Sequence, residues 1–157
     1  GFVGGFMRAF SFSLGDVLEF RKFEQKQAEI ELGKALSSEN EIQKKLDALA
    51  LQKITVQKNV RDSKDFSEIA GASAYFDFIK RETESLFEKM AEARLLTEKR
   101  REELKLAMQK VDSLENLKEN ELSEYKRMAL NEEDTENDDI ATSRIGLSEA
   151  GEFQPNI

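Results

Sequence analysis

Apolar residues recur at alternating spacings of three and four along two long segments of this 157-residue chain. Between Leu14 and Val60, ten of the 14 positions in this pattern are apolar, and between Ala72 and Met128 the count is 12 of 17. Such spacing, sustained over many heptads, is typical of helices that pair along an apolar seam in a coiled coil. The pattern therefore predicts an all-α fold made of two long, paired helices.

The predicted seam comprises the a and d positions of both heptad patterns. In the first segment these are Leu14, Leu18, Arg21, Gln25, Ala28, Leu32, Ala35, Glu39, Ile42, Leu46, Leu49, Lys53, Val56 and Val60. In the second segment they are Ala72, Phe76, Ile79, Thr83, Leu86, Met90, Ala93, Thr97, Arg100, Leu104, Ala107, Val111, Leu114, Lys118, Glu121, Tyr125 and Met128.

Residues that break helices are rare in this part of the chain. From Leu14 to Leu130 there is no proline, and only three glycines occur. A polar stretch at 61–68 separates the two segments. We therefore expect helix 1 at about 14–60 and helix 2 at about 68–130.

Each helix is preceded by residues suited to capping its first turn. Ser13 with Asp16 precedes helix 1, and Asp65 with Glu68 precedes helix 2. Side-chain oxygens accept hydrogen bonds from the first backbone N–H groups, and acids are favoured there by the helix dipole. Gly71 fits either the loop or the helix.

A short polar connection between two amphipathic helices favours an antiparallel hairpin. Folding about this connection would pair Leu46 with Leu86 and Leu18 with Leu114. The competing arrangement is one continuous helix that forms a parallel dimer.

Residues before helix 1 alternate between apolar and polar, which indicates a short extended lead-in. Helix 2 extends past the partner residues available in helix 1. We expect Phe10 and Phe12 to cover Leu117, Leu122 and Tyr125 there, or else this end is left open for a partner.

The two ends of the chain differ from its body in composition. Residues 131–157 hold eight acids and the single base Arg144, which predicts a disordered acidic tail. Residues 1–6 are glycine-rich, and we interpret them as a non-native leader before a native start at Met7.

Composition excludes most enzymatic chemistry. The chain has no His and no Cys, which removes Ser/His/Asp and Cys/His catalysis and the usual metal ligands. Carboxylate pairs on a solvated helix have no pocket that would shift their pKa. The acidic run in residues 131–157 lacks the ligand spacing of a calcium-binding loop, and the sequence contains no phosphate-binding loop. We therefore expect no catalysis, cofactor, metal or small-molecule substrate.

Composition also limits the partners. The body carries nearly equal numbers of acids and bases, so no basic surface is left for nucleic acid. No run of 18 apolar residues occurs that would span a membrane.

Four aromatic residues lie outside the seam. Phe20 and Phe23 occupy outer positions of helix 1, and Tyr75 with Phe78 lies near the start of helix 2. Exposed aromatics are often incidental, but they are also favoured anchors of protein interfaces. Their grouping suggests two docking patches.

Helix 1 opens with the string Phe10-x-Phe12-x-Leu14-x-x-Val17-Leu18-x-x-Arg21, followed by Glu24-Gln25-Lys26-Gln27-Ala28-Glu29. This string gives the chain a resemblance to the FliJ family of flagellar export proteins. The resemblance continues at Ala74-Tyr75-x-x-Phe78-Ile79, at Lys99-Arg100-Arg101-Glu102-Glu103-Leu104, and at Val111, Leu114, Leu117-Lys118 and Tyr125. It covers about residues 8–130, and the acidic tail has no counterpart in it.

This resemblance implies a cytoplasmic protein at the inner face of the inner membrane, near the flagellar base. Similar proteins are stalk-like hairpins that enter the pore of the hexameric export ATPase, touch the cytoplasmic domain of the export-gate membrane protein and bind export chaperones. By analogy, the ATPase-binding residues would be Phe20, Lys22, Phe23, Lys26, Lys118, Lys126 and Arg127. The gate-binding residues would be Tyr75 and Phe78, although the neighbouring Glu82 and Ser85 are polar.

Two other functions remain as alternatives at this point. The chain could be a structural coiled-coil adaptor unrelated to an ATPase, including a parallel homodimer. A carboxylate-dependent hydrolase would need a compact body with a cleft, and nothing in the pattern predicts one.

Overall fold

A computed structural model describes the backbone of residues 9–152 and the side chains of residues 9–146. This range contains two α-helices, α1 (Gly15–Asp62) and α2 (Phe66–Glu152), and no strand. The predicted all-α fold is confirmed. The interpretation of residues 1–6 as a leader and of Met7 as the start concerns residues outside those described.

The chain divides into two compact units. The hairpin unit spans Phe20–Val111 and holds most of α1, the turn and the first half of α2. The terminal unit combines the described residues up to Glu19 with those from Asp112 onward.

The core of the hairpin unit is a cluster formed by both helices. Leu46 of α1 packs with Leu86 and Met90 of α2, and Ile42 and Leu49 pack against this cluster. This contact confirms the predicted pairing of Leu46 with Leu86. The helices therefore fold back on each other as an antiparallel hairpin, and the unbroken helix of the competing arrangement is not what the chain forms.

Burial follows the predicted seam closely. Apart from Leu14, Lys53 and Met128, every seam position is buried or half-buried. The buried residues among those described are all seam residues, namely Leu18, Ala35, Leu46, Ala72, Ile79, Leu86, Met90, Thr97 and Val111.

A three-residue turn at 63–65 separates the helices, and Asp65 caps α2. The Ser67 backbone N–H donates to Asp65 Oδ1 at 2.9 Å, and the Ile69 N–H donates to the Asp65 carbonyl at 3.2 Å. The Ser63 hydroxyl donates to the Glu68 carboxylate. The predicted cap is confirmed. Because capping begins at Asp65, α2 starts at Phe66, slightly before the expected boundary, and Gly71 belongs to the helix.

In the terminal unit, the lead-in packs on α2. The rings of Phe10 and Tyr125 have centroids 5.6 Å apart and planes inclined by 54°, which is a favourable tilted aromatic contact. The expected cover of Tyr125 by the lead-in is therefore confirmed. The Gly15 N–H donates to the Phe12 carbonyl at 3.0 Å and tightens the entry into α1.

The expected end of the second helix near residue 130 is wrong. Helix α2 continues to Glu152, and residues 131–146 are all exposed. No proline precedes Pro155, and Glu and Ala favour helix, whereas repulsion between acids one turn apart costs only a few tenths of a kcal/mol per pair. Instead of the disordered tail expected from composition, the backbone of α2 continues over 131–152, and its side chains are exposed over 131–146.

Along residues 9–152, neither helix is long and apolar enough to cross a membrane.

We expect Leu86→Ala to lower the free energy of unfolding by about 2–4 kcal/mol, because it opens a cavity in the central cluster. Leu95→Ala is the matched control on the same helix: Leu86 is 7% exposed and Leu95 is 74% exposed. The control should lose less than about 0.5 kcal/mol. Urea unfolding followed by circular dichroism measures both, and equal losses would contradict the packing described.

Candidate partner-binding surfaces

The described residues present exposed side chains and open grooves along the paired helices. Among the side chains of residues 9–146, no cluster of His, Cys, Asp or Glu could hold a metal ion. The depressions along the hairpin unit are open grooves lined by residues of both helices. The exposed aromatics outside the seam are therefore the candidates for function.

One candidate, the tip surface, consists of Gln52, Tyr75 and Phe78. The Tyr75 and Phe78 rings stack, with centroids 6.1 Å apart and planes inclined by 27°. The Tyr75 hydroxyl donates to Gln52 Oε1 of α1 at 2.8 Å. Gln52 thereby fixes the tyrosine ring against which Phe78 packs, while Phe78 stays exposed.

The sequence prediction named Tyr75 and Phe78 but missed Gln52. Gln52 and Tyr75 both occupy g positions, which flank the seam and face each other in an antiparallel pair. The facing g positions could have suggested that Gln52 and Tyr75 are in contact. Whether the two side chains form a hydrogen bond depends on their rotamers, which heptad spacing does not specify.

A groove adjoins the tip surface at the turn. It is lined by Val56, Asn59, Val60, Asp62, Ser63, Glu68, Gly71, Ala72 and Tyr75. Tyr75 thus belongs both to the stacked pair and to the wall of the groove.

A second candidate, the α1 outer surface, consists of Phe20, Lys22, Phe23 and Lys26. Both phenylalanines are more than half exposed, and both lysines are exposed. The Arg21 guanidinium lies 5.8 Å from the centre of the Phe20 ring, within the range of a cation–π contact, and its Nη1 is 2.7 Å from Glu24 Oε2. Ile30, which the sequence prediction did not name, is a further exposed apolar residue along this helix.

The remaining predicted cations lie on α2 in the terminal unit. Lys118 is half-buried, and Lys126 and Arg127 are exposed. Arg127 Nη2 lies 3.9 Å from Glu124 Oε1, a weak ion pair at the surface. These three residues belong to the terminal unit, whereas the α1 outer surface belongs to the hairpin unit.

The lead-in shapes a shallow groove in the terminal unit. Ala9, Phe10 and Ser11 form one side, and Glu121, Glu124, Tyr125 and Met128 of α2 form the other. The Phe10 contact with Tyr125 forms part of this groove, so the lead-in contributes directly to the surface of the unit.

Comparison with known proteins finds one family. A family model described as flagellar FliJ protein matches residues 10–149. No curated protein and no solved structure matches the chain.

We expect Tyr75→Phe and Gln52→Ala to be coupled in a double-mutant cycle by about 0.5–1 kcal/mol, the value of one hydrogen bond. Gln57→Ala is the matched control, since Gln57 is an exposed glutamine of the same helix on the opposite flank of the seam. Urea unfolding measures each cycle. Additive effects of Tyr75→Phe and Gln52→Ala would show that the hydrogen bond between the two side chains does not contribute to stability.

Proposed function

This chain belongs to the flagellar FliJ protein family, and we propose that it is the central stalk of a flagellar type III export apparatus. Family membership indicates a non-enzymatic role related to flagellar export. The proposal is more specific: one surface binds the export ATPase hexamer, another binds the cytoplasmic domain of the export-gate membrane protein, and the chain aids delivery of chaperone-bound substrates.

One observation carries this proposal: aromatic residues remain exposed on a hairpin whose apolar seam is already paired. Phe20, Phe23 and Phe78 lie outside the buried cluster and are about half exposed. Burying the exposed part of each ring would gain about half of the ~1.5–3 kcal/mol that full burial of such a side chain gives. Large exposed aromatics beside charged residues suit interfaces with other proteins.

We assign the α1 outer surface to the ATPase. Its two phenylalanines can anchor in apolar pockets, and Lys22 and Lys26 can steer the approach to an acidic partner. Lys118, Lys126 and Arg127 of the terminal unit would add cationic contacts to the same partner.

We assign the tip surface to the export gate. The stacked pair is held by Gln52, so Phe78 is presented with little conformational freedom to lose on binding. Chaperone binding is proposed on family grounds alone. On the same grounds we propose that the protein lies in the cytoplasm, at the membrane face near the flagellar base.

The alternative is a structural coiled-coil adaptor without an ATPase. It is favoured by the long paired helices, and in it the exposed phenylalanines would bind proteins other than export components. The experiments below separate the two functions, because only the stalk requires binding to export components.

We expect Phe20→Ala combined with Phe23→Ala to weaken binding to the purified export ATPase at least tenfold, with helicity unchanged. The matched control is Leu51→Ala combined with Ile54→Ala, an exposed apolar pair with the same spacing on the same helix. Isothermal titration calorimetry measures binding. If the native chain neither binds nor activates the ATPase of its own organism, the stalk assignment is wrong.

We expect Phe78→Ala to weaken binding to the cytoplasmic domain of the export gate at least tenfold. Phe87→Ala is the control, since Phe87 lies on the same helix and is 59% exposed, against 45% for Phe78. Surface plasmon resonance with the immobilised gate domain measures both. Equal effects of the two substitutions would contradict the assignment of the tip surface.

A further inference from the structure

Four charged residues of the hairpin unit occupy the seam, where coiled coils normally place apolar side chains. They are Arg21, Glu39, Lys53 and Arg100. Charges at these positions reduce stability, so their presence calls for a physical reason.

In the hairpin, each of these charges lies opposite an uncharged residue. The register in which Leu46 packs with Leu86 places Glu39 opposite Ala93 and Lys53 opposite Ile79. The same register places Arg21 opposite Val111 and Arg100 opposite Leu32. No two charged seam residues of the hairpin unit therefore face each other.

Glu39 makes polar contacts with residues of the other helix. Its Oε2 lies 2.9 Å from the hydroxyl of Thr97, which is 2% exposed, and its Oε1 lies 3.7 Å from Arg94 Nε. The single Thr97 proton can be donated to Glu39 or to the Ala93 carbonyl at 3.0 Å. The same register places the small residues Ala35 and Ala93 opposite Thr97 and Glu39, and the hairpin gives the Glu39 carboxylate a hydrogen-bond donor and a nearby cation.

The other charges are also accommodated. Arg100 Nη1 donates to Glu103 Oε2 at 2.9 Å, and this hydrogen bond, with the charge of Glu103 and a smaller contribution from Glu31, raises the pKa of Arg100. Arg21 pairs with Glu24 on its own helix, and Lys53 is exposed.

In a parallel pair of two copies, the same charged residues would face different neighbours. In a parallel, in-register coiled coil, each a or d residue faces the same residue of the other copy. Glu39 would then face a second Glu39, and Lys53 and Arg100 would each face another cation. Like charges brought together in a seam repel and lose solvation, so each such layer disfavours that assembly.

We infer that the charged seam residues determine the pairing partner of each helix. They are compatible with pairing to the other helix of the same chain, and they disfavour parallel pairing with a second copy. This specificity is independent of the proposed export partners. It explains why a sequence with heptads over most of its length forms an intramolecular hairpin.

The test uses the absence of cysteine from the chain. Val56→Cys places a single thiol at a d position, which would face its own copy only in a parallel pair. We expect mild oxidation to give little intermolecular disulfide in this reporter chain. Adding Glu39→Leu, Lys53→Leu and Arg100→Leu should raise the disulfide-linked fraction at least tenfold at the same protein concentration.

The matched control replaces one acid and two bases outside the seam: Glu41→Leu, Lys44→Leu and Lys105→Leu in the same reporter chain. All three positions are exposed. Because these residues do not face each other in a parallel pair, the linked fraction should stay at the level of the reporter chain. A comparable rise of the disulfide-linked fraction in the control would show that added leucines cause nonspecific association, and it would overturn the inference.

A charge exchange tests the same inference without added apolar surface. One reporter chain carries Lys53→Glu and Arg100→Glu, and the other carries Glu39→Lys. Mixed together, the two copies present opposite charges at all three layers, so the mixture should form at least tenfold more disulfide than either chain alone. Circular dichroism confirms that each chain is helical before mixing.

Further outcomes would also overturn the inference: the reporter chain forms parallel disulfide dimers on its own, the seam substitutions leave it unlinked, or the mixture links no better than its components. Dimers of the seam variant that lack the Val56→Cys disulfide would count against it as well, because their helices would not be parallel.

Discussion

The interlocking of apolar side chains from α1 and α2 is the interaction on which the rest of the structure depends. Leu46, Leu86 and Met90 form its buried cluster, and the remaining seam residues extend the contact along both helices of the hairpin unit. A pair of helices offers one narrow seam and no second layer, so residues off the seam have no interior to enter. The large aliphatic residues and the phenylalanines outside the seam of the hairpin unit are therefore exposed.

The seam also divides the functions of the residues. Side chains on the seam hold the hairpin, and those on its outer faces are available to partners. Tyr75 links the two roles, because its hydroxyl is bonded to Gln52 across the helices while its ring supports the exposed Phe78. The charged seam residues add a third role, since they weaken the seam for a second copy more than for the same chain.

Much of this arrangement is predictable from sequence, because heptad spacing depends only on the helical period. It identified the positions of all buried residues among those described, and the acid at Asp65 identified the turn. The end of α2 was missed, because net charge predicts solvation but does not by itself prevent a helix. The Gln52–Tyr75 and Glu39–Thr97 contacts were missed as well, since they depend on side-chain rotamers across the seam.

The most direct test of the hairpin is a disulfide between its two helices. Leu46→Cys and Leu86→Cys together place two thiols in the central cluster of a chain that otherwise has none. The account predicts that mild oxidation links them within one molecule, giving a monomer with faster migration in denaturing electrophoresis without reductant. Disulfides formed only between molecules, or no disulfide at all in a helical chain, would contradict the antiparallel pairing.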